Sequence, residues 1–405
     1  MDALPLTTSR CDVLVIGAGI VGLAHAAEAA ERGLSVIVIE RDSRAVGASI
    51  RNFGHCCVTA QSGDLLELAL VARERWLHFA ALAGFFAVES GALAVACSAT
   101  ELALVEQLAR SRPVGQVVMM SAQEIRHELG NGEAGQILGG ARLRDDLRVD
   151  PREAVARLAA WLEDQPKVEI RWRTSYLGQE SAGASDVSRK SATGSEFGQI
   201  VRTSRGAITA DRTIVCVGHD IDYLFPAIAE QYEIERCALQ MMMVAAPAVG
   251  AETVPVRIRP AVLTGTSMLR YPAFAETPAG QAISQQLAAE LAKLDPELLG
   301  IGANVMFTQR PDGALLVGDS HQYGKTLGPF LTEATSAILL GRIASVLGAA
   351  EFDILERWQG VYASSAKQPY VVAEPVAGLT VVSVTSGVGM TIAFGLARRV
   401  FEQLD

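Results

Sequence analysis

The sequence predicts an α/β unit within a chain that is α+β overall: a doubly wound parallel sheet, left and re-entered twice. The two insertions would build a second domain on a large mixed or antiparallel sheet. Three observations predict this. The chain has 405 residues, more than one hydrophobic core usually holds, so two domains are expected. Between residues 11 and 40 an apolar strand, a glycine-rich turn, a helix and a second apolar strand follow in order. A strand, glycine loop and helix return at the far end, in GLTVVSVTSGVGMTIAFGLARRVFEQL.

The first unit is CDVLVIGAGIVGLAHAAEAAERGLSVIVIE. Val13 to Ile16 form a continuous apolar run, as a strand covered on both faces requires. Gly17, Gly19 and Gly22 then stand in G-x-G-x-x-G spacing and open a predicted helix over 19–32, with Ile20 and Val21 in its first turn. The first glycine permits a tight turn, the second lets the backbone approach a pyrophosphate, and the third lets helix and strand pack closely. The helix N-terminus offers free N–H groups and partial positive charge to phosphates. The second strand ends at Glu40, followed by Arg41. Glu40 suits ribose hydroxyls and would repel a 2′-phosphate. Strand, helix, strand and terminal acid together predict a site for an ADP moiety.

That motif does not separate NAD from FAD. No second G-x-G-x-x-G unit follows, such as a flavoprotein reduced by a nicotinamide bound in the same chain usually carries. Two later segments look instead like parts of an FAD domain: DRTIVCVGHD, an apolar strand ending in Gly218, and the C-terminal strand–loop–helix. N–H groups from Gly387, Val388, Gly389, Met390 and Thr391, aimed back at the cofactor, would stabilise negative charge on a reduced flavin ring. The expected cofactor is FAD, in a Rossmann-like FAD-binding domain discontinuous in sequence, and no metal is expected.

GASIRNFGHCC, residues 47–57, follows the first unit. Gly47, Ala48 and Ser49 fit a turn beneath the pyrophosphate, and Ile50 to Gly54 would pass the flavin ring. Arg51 and Asn52 would hold cofactor or substrate, His55 would border the pocket, and Tyr176 is counted with the cofactor residues. A disulfide between the neighbours Cys56 and Cys57 would strain both the peptide link and the S–S geometry, so these read as packing thiols.

Further helices are predicted over 64–83, 101–110, 123–129, 151–164, 332–347 and 390–403. Asp150-Pro151-Arg152-Glu153 supplies an N-cap acceptor, proline at N1 and glutamate at N3, and Ser121 with Glu124 repeats the capping pattern. Strand-rich stretches are expected at 85–95, 168–177, 199–217, 237–245 and 314–317. Met241 to Met243 read as core filling, and the serine-rich 178–198 as an exposed hairpin tip. The apolar stretch 79–97 is broken by Gly84, Glu89, Ser90 and Gly91, so it reads as a helix end and hairpin rather than a membrane span. The expected division is 1–84, 148–222 and 358–405 for the FAD-binding domain, and 85–147 with 223–357 for the substrate domain.

Half the residues are hydrophobic and a fifth charged, which excludes a disordered chain. The net charge of −10 disfavours nucleic acid, because phosphate neutralisation needs a basic surface. Six cysteines without framework or metal-ligand spacing read as reduced thiols of a cytoplasmic protein, and the N-terminus lacks a signal-peptide pattern.

Over nearly its whole length the sequence resembles the D-amino-acid oxidase, glycine oxidase and sarcosine oxidase family of FAD enzymes. The likeness rests on the N-terminal fingerprint, GAS after the second strand, RVDPREAVARLA, TIVCVGHD, RPDGALLVGDSH, RWQGVY and SGVGMTIAFG, in that order. It implies FAD, a substrate domain with a large sheet, and oxidation of a C–N bond by hydride transfer. The resulting imine would hydrolyse to a carbonyl compound, and oxygen or another acceptor would reoxidise the flavin. Relatives acting on α-amino acids often carry an arginine just after W-x-G-L to clamp the carboxylate. Here Trp358-Gln359-Gly360-Val361-Tyr362 puts Tyr362 in that place. IRNFG, LRYPAF and GDSHQYG look like a subgroup associated with aminoalkylphosphonate breakdown, so the expected substrate is a small anionic amine such as 2-aminoethylphosphonate or its N-methyl form. Candidate substrate residues are Arg51, Arg270 and Tyr271 (on an expected strand), His321, Lys325 and Tyr362, while Asp319 would end its strand or orient His321. His25, His78 and His127 read as ordinary helix residues. The alternatives are a glycine, sarcosine or D-amino-acid oxidase, a flavin-dependent monooxygenase, for which Gly-Asp after a strand speaks, and a non-catalytic dinucleotide binder.

Overall fold

The computed structural model describes residues 9–130, 136–181, 198–248 and 255–404. The predicted class holds. Two large sheets and one small one account for the strands among these residues, with helices layered against them.

The first sheet grows from β1 (Ser9–Ile16), which pairs in parallel on one side with β2 (Val36–Ile39) and on the other with Gly206–Val215. α1 (Ile20–Glu31) links β1 to β2. Its close seat needs Gly22, where a Cβ would stand 1.9 Å from the Gly17 carbonyl oxygen. Val168–Arg171 extends the sheet beyond β2, and Leu379–Val384 joins Gly206–Val215 in parallel, so the C-terminal stretch completes the N-terminal sheet. The last helix, Gly389–Leu404, buries Ile392, Ala393, Phe394, Leu396 and Ala397 in the same core as Leu23 of α1 and Trp76 of Gly63–Ala83.

The second sheet has nine strands and is mixed. Its long central strand, Glu235–Val244, pairs antiparallel with Leu315–Gly318, Gln322–Gly324 and Ile354–Ser364. Ala261–Leu263 pairs in parallel with Ala92–Ala96, and Gly139–Leu143 and Val117–Ser121 finish that end. Met241 to Met243 are buried within this sheet.

Several expectations change. Ala87–Val88 and Ala92–Ala96 do not form a hairpin. Gly91, at φ 64°, turns the chain so that the first strand joins a small sheet with Leu147–Val149 and the second enters the nine-stranded sheet. A boundary at 358 falls inside Ile354–Ser364, all of which pairs with the second sheet, so the chain returns to the first sheet only after residue 364. The strand expected at Arg270 stops at Leu263, where Thr264 and Ser267 cap the short helix Gly265–Met268. The helix Pro278–Leu294 was passed over, although Thr277 followed by Pro278 is an N-cap with proline in the first turn. The strands Tyr176–Ser181 and Gln199–Thr203 pair antiparallel, while 182–197, most of the expected hairpin tip, lie outside the described residues.

Candidate functional site

A cavity of about 860 Å³ runs from the glycine turn after β1 to the second sheet. Its outer half is backbone. Gly17 sits at φ 104°, and a Cβ there would stand 2.4 Å from the Cys216 carbonyl oxygen, so only glycine fits between the two strands. Gly19, Ile20 and Val21 line the wall at the start of α1, followed by Glu40, Arg41, Ala48 and Ser49 from the turns beyond β2. Ser49 Oγ accepts the Ile20 N–H at 2.9 Å, and Glu40 accepts the N–H groups of Ala18 at 2.9 Å and Asp42 at 3.0 Å. The carboxylate expected to face ribose thus also stitches its own turns together. Its two oxygens still offer spare lone pairs to a ligand. Arg41 pairs with Asp220 at 2.6 Å across the rim, and Tyr176, Gly218 and His219 close that side.

The segment after Ser49 divides its labour. Ile50 turns away and packs against the core under α1, so it does not line the cavity. Arg51, Asn52 and Phe53 do. The Asn52 amide donates to the Ala48 and Ser49 carbonyls and accepts the Gly54 N–H at 2.8 Å, so it locks the loop. Arg51 donates to the Gln359 carbonyl at 3.0 Å, while Trp358 donates back to the Arg51 carbonyl at 3.3 Å. That residue ties the loop to the second sheet.

Cys56 and Cys57 are buried and unbridged, and burial pushes both thiols well above their ordinary range. They clamp the last helix: the Cys57 N–H bonds to Thr391 Oγ1 at 3.1 Å, and Cys56 Sγ reaches the Met390 carbonyl at 3.6 Å. His55 lines the cavity and bonds through Nε2 to buried Asp146 at 2.8 Å. Gly387, Val388, Gly389, Met390 and Thr391 all line the wall, where the last helix begins. Tyr362 stands over this loop, and a Cβ on Gly387 would meet its hydroxyl at 3.2 Å.

The inner half is side chains. Arg270 lies in the turn after Gly265–Met268, exposed towards the cavity, and donates to the Tyr323 hydroxyl at 2.7 Å. The Tyr271 hydroxyl reaches Met306 Sδ at 3.3 Å, and burial pushes the Tyr271 and Tyr362 phenols well above their ordinary range, so both stay neutral donors. His321 bonds through Nδ1 to the Gly302 carbonyl at 3.0 Å. Burial, then the Arg270 charge, lowers it to about 3. The imidazole is therefore neutral with its proton on Nδ1, and Nε2 is an acceptor rather than the expected donor to an anion. Lys325 is exposed and does not line the cavity.

The sequence gives no sign of two lining residues, Asn304 and Met306, and points to Asp319 only as a strand end or a partner of His321, whereas it too lines the cavity. Asp319 does not orient His321. It sits opposite Asn304, the two backbones exchanging N–H···O bonds of 2.8 and 2.9 Å. Gly-Asp closing an apolar strand was the visible signal for Asp319, whereas nothing in the sequence singled out Asn304.

The residues fit a dinucleotide. A glycine turn that any side chain would fill faces a helix N-terminus, and a second glycine loop faces it from the C-terminal end. No helix among the described residues is long and apolar enough to cross a membrane.

Comparison with known proteins agrees. None of the curated protein sequences matches. Among solved structures, glycine oxidase from Geobacillus kaustophilus aligns at TM-score 0.71 and 18% identity, over 98% of this chain and 96% of that one. Glycine oxidase from Bacillus cereus ATCC 14579 aligns at TM-score 0.73 and 16% identity, over 97% and 96%. L-α-glycerophosphate oxidase from Mycoplasma pneumoniae, solved with FAD bound, aligns at TM-score 0.70 and 18% identity, over 98% and 95%. These likenesses show a shared fold. The family model described as "DAO: FAD dependent oxidoreductase" matches residues 12–403, and the chain belongs to that family of FAD-dependent oxidoreductases.

Proposed function

We propose that this enzyme oxidises the C–N bond of a small amine carrying a compact anionic group, an aminoalkylphosphonate such as 2-aminoethylphosphonate or its N-methyl derivative. The observation that carries this reading is the donor set at the inner end of the cavity. It holds Arg270 and the neutral phenols of Tyr271 and Tyr362, with Tyr362 where the carboxylate-clamping arginine of α-amino-acid oxidases is expected. Several donors spread over a surface suit a tetrahedral anion, while a planar carboxylate favours a bidentate clamp.

In this reading Gly17, Gly19 and the first turn of α1 take the pyrophosphate, Glu40 takes ribose, and Arg51, Asn52 and the 387–391 loop surround the ring. FAD, when bound, would supply the two-electron acceptor for one hydride from the C–H beside nitrogen. The protein's part is to hold that C–H in line, keep the anion at Arg270 and exclude bulk water from the inner end. The imine then takes up water and releases a carbonyl compound and an amine.

The second reading, a glycine, sarcosine or D-amino-acid oxidase, is favoured by the structural neighbours, which include the two glycine oxidases and the iminodiacetate oxidase of Chelativorans sp. BNC1. An anaerobic panel of glycine, sarcosine, D-alanine, 2-aminoethylphosphonate and its N-methyl form separates the two. Bleaching of the flavin band should be fastest with a phosphonate. Faster reduction by glycine or D-alanine establishes the second reading instead.

A further inference from the structure

We infer that Asp319 and Asn304 form the subsite that grips the substrate's amino group, and that Asp319 takes its proton, opposite an anion subsite at Arg270. This rests on the amine-oxidising reading above. Both residues line the cavity yet are almost wholly buried, Asp319 at 3% and Asn304 at 6% exposure. Asp319 Oδ1 and Asn304 Oδ1 each lack a hydrogen-bond partner. The Asn304 amide nitrogen is turned to Met306 Sδ at 3.3 Å, which leaves its carbonyl oxygen free. Buried polar atoms are almost always partnered, so two orphans on directly opposed residues mark a missing group. Both are acceptors, so the missing group is a donor. An ammonium has N–H bonds enough for both acceptors and a positive charge that matches the carboxylate.

Electrostatics point the same way. Asp319 and Arg270 feel each other's charge but form no contact ion pair. Opposite charges held apart across one cavity fit a zwitterion laid between them, ammonium to Asp319 and anion to Arg270. The other ionisable groups here are Tyr271, Tyr323, Tyr362, Cys237 and His321. Tyr271 and Cys237 both respond to the Asp319 charge. Burial raises the Asp319 carboxyl to about 7, with the Arg270 charge, hydrogen bonding from the Asn304 side chain and the Asp319 backbone N–H opposing.

The step balances simply. The ionised carboxylate accepts one proton from R–NH3⁺, giving a carboxylic acid and R–NH2, and no electrons move. The freed lone pair on nitrogen then supports departure of hydride from the adjacent carbon.

The test uses the FAD-loaded enzyme and a matched pair, 2-aminoethylphosphonate and 2-hydroxyethylphosphonate. In Asp319→Asn the amine's dissociation constant, from anaerobic reduction, should rise about 10- to 100-fold, as for loss of a charged hydrogen bond. The hydroxyl compound, followed by its perturbation of the flavin spectrum, should bind within about 3-fold of wild type, because it carries no ammonium. The rate constant for reduction at limiting amine should climb through a limb near pH 7 in the wild type and lose that limb in the variant. Should Asp319→Asn fail to retain FAD, Asn304→Ala takes its place and should weaken the amine alone by about 3- to 10-fold. An unchanged amine-to-hydroxyl ratio in a folded variant, or a pH limb that survives Asp319→Asn, overturns the inference. If glycine and not a phosphonate reduces the wild type, the substrate reading fails separately, and the same ratio is read with glycine and glycolate.

Discussion

The two ends of the cavity are built on opposite principles. The outer end is made of backbone: glycines where a Cβ would collide, and N–H groups at two helix starts. Its geometry is set by how strands and helices pack. The inner end is made of side chains from Tyr362 on a strand of the second sheet and from turns beside it, Arg270, Asn304, Asp319 and His321. Backbone sites tolerate almost no change and accept one kind of ligand. Side-chain sites can be rewritten residue by residue, so a single cofactor platform can serve different substrates.

Three substitutions probe that contrast, with effects that should fall in order. Gly17→Val puts branched carbon into a position at φ 104° already closed by the Cys216 carbonyl. It should cost about 3 kcal/mol or more and yield protein without the yellow flavin absorbance. A variant that kept FAD at wild-type stoichiometry would show that the outer end is more forgiving than its geometry states. Arg270→Ala should leave flavin content intact and raise the KM for the anionic amine by about 10- to 100-fold, with a smaller change in kcat. An unchanged KM would remove Arg270 from the site. Cys56→Ala should be the mildest. It removes a thiol held at the Met390 carbonyl and should lower stability by about 1 kcal/mol in urea denaturation, with flavin reduction by amine unchanged. Slower flavin reduction in a folded Cys56→Ala variant would show that the thiol does more than pack.

Legibility in the sequence follows the same divide. Gly17, Gly19, Gly22 and Glu40 were readable because one strand–turn–helix–strand unit carries them all within 24 residues. The 387–391 loop was readable for the same reason. The inner end was not, because its geometry depends on strand register. Asn304 and Asp319 face each other only because Met306–Gln309 pairs antiparallel with Leu315–Gly318. Arg270 was assigned to a strand because its apolar surroundings look alike in a strand and in a capped helical turn. His321 reads as a donor from sequence, which does not show that the Gly302 carbonyl claims its proton. Ile50 packs against the core and does not line the cavity, which its place between Ser49 and Arg51 does not show, while Asn52 lines the cavity and also ties its own loop.

The pairing of β1 with Gly206–Val215, and of that strand with Leu379–Val384, carries a consequence for how the molecule is made. As the chain emerges from a ribosome, β1, α1 and β2 can meet early. Their sheet waits for residues 40–167 before Val168–Arg171 joins β2, longer still before Gly206–Val215 joins β1, and for the final helix before α1 is covered. Contacts so distant along the chain make folding slow and leave apolar strands open meanwhile. The glycine turn that binds first in the mind of a sequence reader is therefore among the last parts of the newborn protein to become a binding site.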